Sequence, residues 1–121
     1  MKTIEIPPLR WVSALDDFTA RHEGQRVSLD VLDPAIGAQP EINDLPLFGV
    51  SADCGTSAGA IIISAGQSTA GYIAHTIPAP SRLYVERQDD GTDVALQVES
   101  SDGTRAVLRL ESPASSDVRA R

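Results

Sequence analysis

The chain has 121 residues, which is enough for one domain to bury a core without metal or disulfide support. Its formal net charge is −7, and its single cysteine, Cys54, cannot form an internal disulfide bond. Because nucleic acids and anionic lipids are bound mainly through clustered lysine and arginine, this charge argues against both as partners. The sequence has neither an apolar run long enough for a membrane span nor a secretory signal, so we expect a cytoplasmic protein.

The segment after a short extended start predicts an amphipathic helix. Trp11, Leu15, Phe18 and His22 recur at helical spacing and form one stripe, which indicates that Trp11 belongs to the core. Gly24 follows where a helix commonly ends in the left-handed region. His22, near the helix C-terminus, is expected to stabilise that end.

The rest of the chain predicts strands and turns. Residues 26–32 alternate apolar and polar side chains, as in a half-buried strand, whereas residues 33–44 have the composition of a loop, part of it extended. Strands are also predicted for three later apolar stretches, residues 45–53, 60–66 and 72–77. Pro78 and Pro80 interrupt the last of them.

The last third of the chain predicts a meander with two reverse turns. One is a two-residue turn at Asp90–Gly91, and the other is a three-residue loop at Ser101–Gly103 with glycine last. The pairs predicted across them are Leu83–Val98, Val85–Leu96 and Arg87–Val94, then Val98–Ala106, Leu96–Leu108 and Val94–Leu110. These registers place the apolar side chains of all three strands on one face.

The other face of this meander carries the candidate binding residues. Cations surround an aromatic side chain there, which would suit a protein or small-molecule partner, although an ordinary solvated sheet face is the simpler interpretation. The candidates are Arg82, Tyr84, Gln97, Arg105 and Arg109.

The pattern G-x-S-x-G at residues 55–59 is that of a serine hydrolase nucleophile elbow. That elbow leads from a strand into a helix, and the fold also needs an acid and then a histidine after the serine. Three isoleucines after the pattern instead predict a strand, and no acid lies between Ser57 and His75, the only later histidine. We therefore interpret the segment as a hairpin connection and Cys54, beside Asp53, as structural.

His75 is the one weak catalytic candidate. It lies between Ile73 and Ile77 on one side of its strand, where a partly buried histidine is the simpler interpretation. Paired with a nearby carboxylate, it could act in acid–base catalysis. His22 and His75 lack ligand spacing, and the turn near Asp89 does not fit a calcium loop, so neither metal nor cofactor is predicted.

The middle of the chain contains no lysine or arginine between Arg26 and Arg82. The acidic residues of this interval are Asp30, Asp33, Glu41, Asp44 and Asp53. A basic partner or a metal cation would suit such an interval, although a solubilising surface is the simpler interpretation.

Several segments together resemble a family of small bacterial proteins catalogued only as a domain of unknown function. They are RWVSALDDFTARHEGQRVSLDVL, GAQ, DLPLFGVSAD, HTIPAPSRLYVE and ESSDGTRAVLRLESP. The resemblance spans residues 3–113. It implies a stand-alone bacterial domain and supplies no activity, cofactor or site residue.

We therefore predict a single α+β domain over residues 1–112, followed by a flexible C-terminal tail at 113–121. One N-terminal amphipathic helix packs on a curved antiparallel sheet of about six strands, with closure towards a barrel left open. The main functional hypothesis is a non-enzymatic binding or interaction module. The alternatives are a small-ligand enzyme that uses His75 with a carboxylate, and a homo-oligomeric structural protein, such as a homodimer, that pairs through a sheet edge.

Overall fold

The computed structural model describes residues 1–53, 59–67 and 71–111. The side chain of Gln67 is outside this description. The hypotheses on Cys54 and Ser57 and the predicted tail at 113–121 also concern residues outside it. Within the described ranges, the α-helix has 12 residues, and no helix is long and apolar enough to cross a membrane.

The predicted amphipathic helix is confirmed. A 3-10 turn, Pro8–Arg10, leads into α1, which spans Trp11–His22. The buried residues of α1 are Trp11, Leu15 and Phe18. Gly24 has a φ of +88°, so the chain leaves the helix through the left-handed region that glycine adopts without strain.

Eight strands of the described residues form one antiparallel sheet. They are β1 (Lys2–Ile6), β2 (Arg26–Asp33), β3 (Gly37–Asp53), β4 (Ala60–Gln67), β5 (Gly71–Pro78), β6 (Pro80–Arg87), β7 (Asp93–Ser100) and β8 (Arg105–Leu110). The order across the sheet is β1–β6–β7–β8–β2–β3–β4–β5. The sheet does not close into a barrel, so β1 and β5 lie at its two ends.

The predicted number of about six strands is too low, because two segments without a strong strand pattern also join the sheet. Residues 33–44 have a loop composition, yet most of them belong to β3, which pairs with β2 from Gly37 to Pro46. The other segment is β1, which pairs with β6 along its whole length. Backbone pairing with a neighbouring strand outweighs the weak local preferences of these residues.

Side chains from both halves of the sheet form one core together with α1. Buried side chains come from β2, β4, β7 and β8, and those with no measurable exposure include Val27, Leu29, Ile61, Ile63 and Leu108. Thr19 fixes α1 to β3, because its hydroxyl both accepts from the Val50 N–H and donates to the Val50 carbonyl, each at 2.9 Å.

The meander is confirmed for its central pairs and wrong at one end. Leu83 pairs with Val98, Val85 with Leu96, Val98 with Ala106 and Leu96 with Leu108, as predicted. The loop at Ser101–Gly103 is also confirmed, since the Ser100 N–H donates to the Thr104 carbonyl at 2.8 Å.

The first turn differs from the prediction, and a bulge compensates for the difference. The Gln88 N–H donates to the Thr92 carbonyl at 2.8 Å, so this loop also has three residues, Asp89–Gly91. Arg87 consequently pairs with Asp93 instead of Val94. The register then shifts by one residue in β7, which restores the predicted pairs beyond it. The bulge leaves Val94 half-buried and places Asp93 on the buried side of β7.

Candidate ligand-binding groove

A groove lies between α1 and the β1–β6 edge of the sheet and encloses a cavity of about 320 Å³. Its apolar lining includes Phe18, Val85 and Leu96, which are all buried, together with the partly exposed Ile4. The charged residues that line it are Glu5, Arg10, Asp17, Arg21 and Arg87. The groove therefore combines an apolar floor with a charged rim, as small-molecule sites usually do.

The buried carboxylate of Asp93 binds Arg21 and Arg87, two of the three arginines that line this groove. Asp93 Oδ2 accepts from Arg21 Nη2 at 2.8 Å, and Asp93 Oδ1 accepts from Arg87 Nε at 2.7 Å. The Asp93 side chain is only 4% exposed, whereas those of Arg21 and Arg87 are 47% and 35% exposed. The carboxylate thus fixes both guanidinium groups while leaving part of each in contact with solvent.

The same carboxylate has a third partner in His22, whose Nε2 lies 2.7 Å from Asp93 Oδ2. Burial by itself raises the pKa of the Asp93 carboxyl, but the hydrogen bonds from His22, Arg21 and Arg87 outweigh burial and lower the pKa to about 2. Asp93 is therefore ionised throughout the physiological range, and its charge is compensated by more than one cation.

The other ring nitrogen of His22 continues this network. Gln25 Nε2 donates to the Glu111 carbonyl at 2.6 Å, which turns Gln25 Oε1 toward His22 Nδ1 at 2.8 Å. Both neighbours of the His22 ring are then acceptors, since Asp93 is an ionised carboxylate. The His22 ring thus links Gln25 to the Asp93 carboxylate through its two nitrogens.

Several hydrogen-bond donors of the groove remain without a described protein partner. A guanidinium group has five N–H donors, and the contacts with Asp93 use one nitrogen each of Arg21 and Arg87. The side chain of Arg10 makes no hydrogen bond or ion pair with any of the described residues. The groove can therefore offer N–H donors from three arginines to an anion.

The five candidates on the outer face of the meander lie on one surface, as expected. Tyr84 is opposite Gln97, and Arg82 and Arg105 lie on either side of Glu99 in the neighbouring row. Their charges are compensated within the surface. Arg105 lies 3.5 Å from Glu99, Arg109 lies 2.5 Å from Asp30, and Gln97 donates to Glu86.

Arg82 is compensated as well. Its Nη1 lies 3.4 Å from the Tyr84 hydroxyl, and the contact with Tyr84, together with the nearby carboxylates of Glu5 and Glu99, raises the pKa of Arg82. The outer face is thus a mixed surface of exposed pairs, in which each candidate cation already has an acidic neighbour.

His75 lies on β5 with a carboxylate nearby. Its Nδ1 is 3.8 Å from Glu41 Oε1, and the two side chains are 28% and 38% exposed. This distance exceeds that of a hydrogen bond. The described residues contain no group of three or more potential ligands arranged to hold a metal.

The residues that organise the groove carry no recognisable motif in the sequence. Arg21 and Arg87 are ordinary charged residues by pattern, and Asp93, which follows the first turn of the meander, has no pattern that sets it apart. One signal was present: His22 falls on the apolar stripe of α1, and a buried histidine needs a polar partner. The partner itself depends on the bulge in β7, which no local pattern predicts.

Comparison with known proteins confirms the resemblance noted in the sequence. The chain matches the family of unknown function DUF5335 over residues 2–119. It is 31% identical over 111 residues to an uncharacterized protein of Aquifex aeolicus (strain VF5), and the match covers 92% of this chain and 94% of that protein. No solved structure matches the chain. The protein belongs to the family of unknown function DUF5335.

Proposed function

We propose that this protein is a non-enzymatic, cytoplasmic binding module that takes a small organic anion in the groove between α1 and the β1–β6 edge. The observation that supports this most strongly is the buried Asp93, which holds Arg21 and Arg87 beside an apolar cavity. Positioning by a buried group lowers the ordering cost that a flexible arginine would incur on binding.

The cavity favours a small, partly apolar ligand. Its volume of about 320 Å³ lies at the lower end of the range for small-molecule sites. The floor of Phe18, Val85 and Leu96 suits a hydrocarbon or ring, and the guanidinium groups suit a carboxylate, sulfonate or phosphate. The ligand class is therefore an amphipathic anion.

The groove is a better candidate than the other two surfaces. On the outer meander face, the arginines already lie beside carboxylates, so an incoming anion would have to displace them. The enzyme hypothesis would rest on His75 and Glu41, whose 3.8 Å separation gives no direct hydrogen bond between acid and base. Arg10, by contrast, is available without the loss of a described contact.

The proposal is tested with the anionic dye 8-anilinonaphthalene-1-sulfonate, which becomes fluorescent in apolar sites. We expect saturable binding with one dye per chain, and displacement by hexanoate at concentrations where 1-hexanol displaces much less. Arg10→Ala should weaken dye binding about tenfold, because a charge-assisted contact of about 1.4 kcal/mol or more is lost.

Arg105→Ala, on the opposite face of the meander, is the matched control and should leave dye binding unchanged. Circular dichroism and urea unfolding establish that both variants remain folded. Equal displacement by hexanoate and 1-hexanol, or unchanged dye affinity in Arg10→Ala, would contradict an anion site in this groove.

A further inference from the structure

The two ends of the sheet differ in how they are protected. At β1, the Ile6 carbonyl accepts from Trp11 Nε1 at 2.8 Å, the N-terminal amine contacts Asp89, and the strand carries Lys2 and Glu5. At β5, β4 pairs with all eight residues on one side, and no described strand lies on the other side. β5 is the open edge within the described part of the chain.

The composition of β5 makes this openness unusual. Residues 71–78 include no lysine, arginine, aspartate or glutamate, and Tyr72 and Ile73 are 54% and 47% exposed. Proteins usually protect an exposed edge with charges, because its free N–H and carbonyl groups pair readily with other chains. An edge that lacks these four residue types and exposes apolar side chains instead suits strand addition by a partner.

An aromatic pair next to this edge indicates which side chains a partner would present to it. The rings of Phe48 on β3 and Tyr72 on β5 stack with centroids 4.8 Å apart and planes 10° apart. They meet across Gly66 of β4, where an added Cβ would lie 2.7 Å from the Tyr72 Cα. Phe48 covers one face of the Tyr72 ring from the side of β3, and Tyr72 nevertheless remains 54% exposed.

The segment that contains the open edge carries acidic residues but no lysine or arginine, and one of its carboxylates, Asp44, pairs with Arg26 of β2. Residues 37–81, which include β3, β4 and β5, contain Glu41, Asp44 and Asp53 but no lysine or arginine. A second copy of the chain would bring a further net charge of −7 to the edge, which disfavours self-pairing. A basic segment would be attracted, and its cations can stack on an aromatic ring face.

We propose that β5 binds an extended basic segment of another protein, which adds a strand to the sheet and places a lysine or arginine against the face of Tyr72 opposite Phe48. The main-chain hydrogen bonds of residues 71–77 supply the pairing, which stops at Pro78 because proline has no N–H. This interaction is independent of the anion groove, which lies at the opposite end of the strand order.

The test uses the full chain and two fluorescein-labelled octapeptides, one alternating arginine with valine and the other glutamate with valine. We expect saturable binding of the arginine peptide that weakens with added salt, and no binding of the glutamate peptide. Tyr72→Ala should reduce affinity about tenfold, because the ring face is lost, and Tyr72→Phe should retain it. Tyr84→Ala, on the outer meander face, is the matched control and should bind as the unaltered chain does.

Hydrogen exchange then distinguishes strand addition from general attraction between charges. The arginine peptide should slow the exchange of backbone amides within residues 71–77. Absence of binding, binding without this protection, or equal affinity in Tyr72→Ala would each overturn the proposal. A dimer in sedimentation that Ile73→Lys abolishes would also overturn it, since the edge would then take a second copy.

Discussion

Arginine–carboxylate pairs lie on both faces of the β6–β7–β8 meander, but the two faces differ in burial. On the groove side, Asp93 is 4% exposed and has three partners. On the outer side, Asp30 is 29% exposed and contacts Arg109 alone among the described residues. The same chemical groups are therefore expected to contribute very differently to stability, because water competes for exposed pairs and leaves buried charges dependent on their partners.

The largest effect is expected from the loss of the buried carboxylate. Asp93→Ala leaves the charges of Arg21 and Arg87, and the ring of His22, without their common acceptor, so the free energy of unfolding should fall by about 3 kcal/mol. Urea unfolding at neutral pH measures this change. The control is Asp89→Ala, because Asp89 lies in the loop before β7, is 87% exposed, and should change the free energy by less than about 1 kcal/mol. Equal losses of unfolding free energy in the two variants would show that the burial of Asp93 does not increase its contribution to stability.

The loss of stability at acid pH should also depend on Asp93. The folded pKa of Asp93 is about 2, below its ordinary value of 3.8, so its contribution is complete above about pH 4 and is lost as the pH falls towards 2. The size of this shift corresponds to about 2 kcal/mol. Urea unfolding at pH 5 and pH 2.5 should show that loss in the unaltered chain. Asp93→Asn should show a correspondingly smaller loss between the same two pH values.

A smaller effect is expected from Gln25, which links His22 to the carbonyl of Glu111. Gln25→Ala removes both contacts while leaving the Asp93 ion pairs in place, so we expect a loss of about 1 kcal/mol. Thermal or urea unfolding measures it, with Gln88→Ala in the first hairpin as a control. If Gln25→Ala were as costly as Asp93→Ala, the carboxylate could not be the centre of the network.

The smallest effect is expected on the outer face. Arg109→Ala should lower the free energy of unfolding by only about 0.5 kcal/mol, because its pair with Asp30 is partly exposed. This loss should shrink further in 0.5 M sodium chloride, since salt screens exposed pairs more strongly than buried ones. A loss above about 2 kcal/mol would show that exposure is a poor guide to the strength of these pairs.

Much of the fold could be predicted because its signals are local. The stripe of Trp11, Leu15 and Phe18 defines the helix face, and Gly24 marks the helix end. The alternation of Leu96 and Val98 identifies the buried face of β7. The predicted number of strands was too low because residues 33–44 have no strand pattern of their own and form a strand only through pairing with β2. The length of the first turn was predicted wrongly because Asp90–Gly91 suits both a two-residue and a three-residue loop.

The sequence by itself determined the helix, the meander and the cation-free middle of the chain, because periodicity, turn residues and charge are properties of neighbouring positions. Only the tertiary structure decided that Arg21, His22 and Arg87 would share the carboxylate of Asp93. Arg21 and His22 lie 72 and 71 positions from Asp93 in the chain, and the bulge that brings Asp93 to the buried side has no local signature. Packing of α1 against the sheet removes water from that carboxylate, so its ionised form depends on the hydrogen bonds from Arg21, His22 and Arg87.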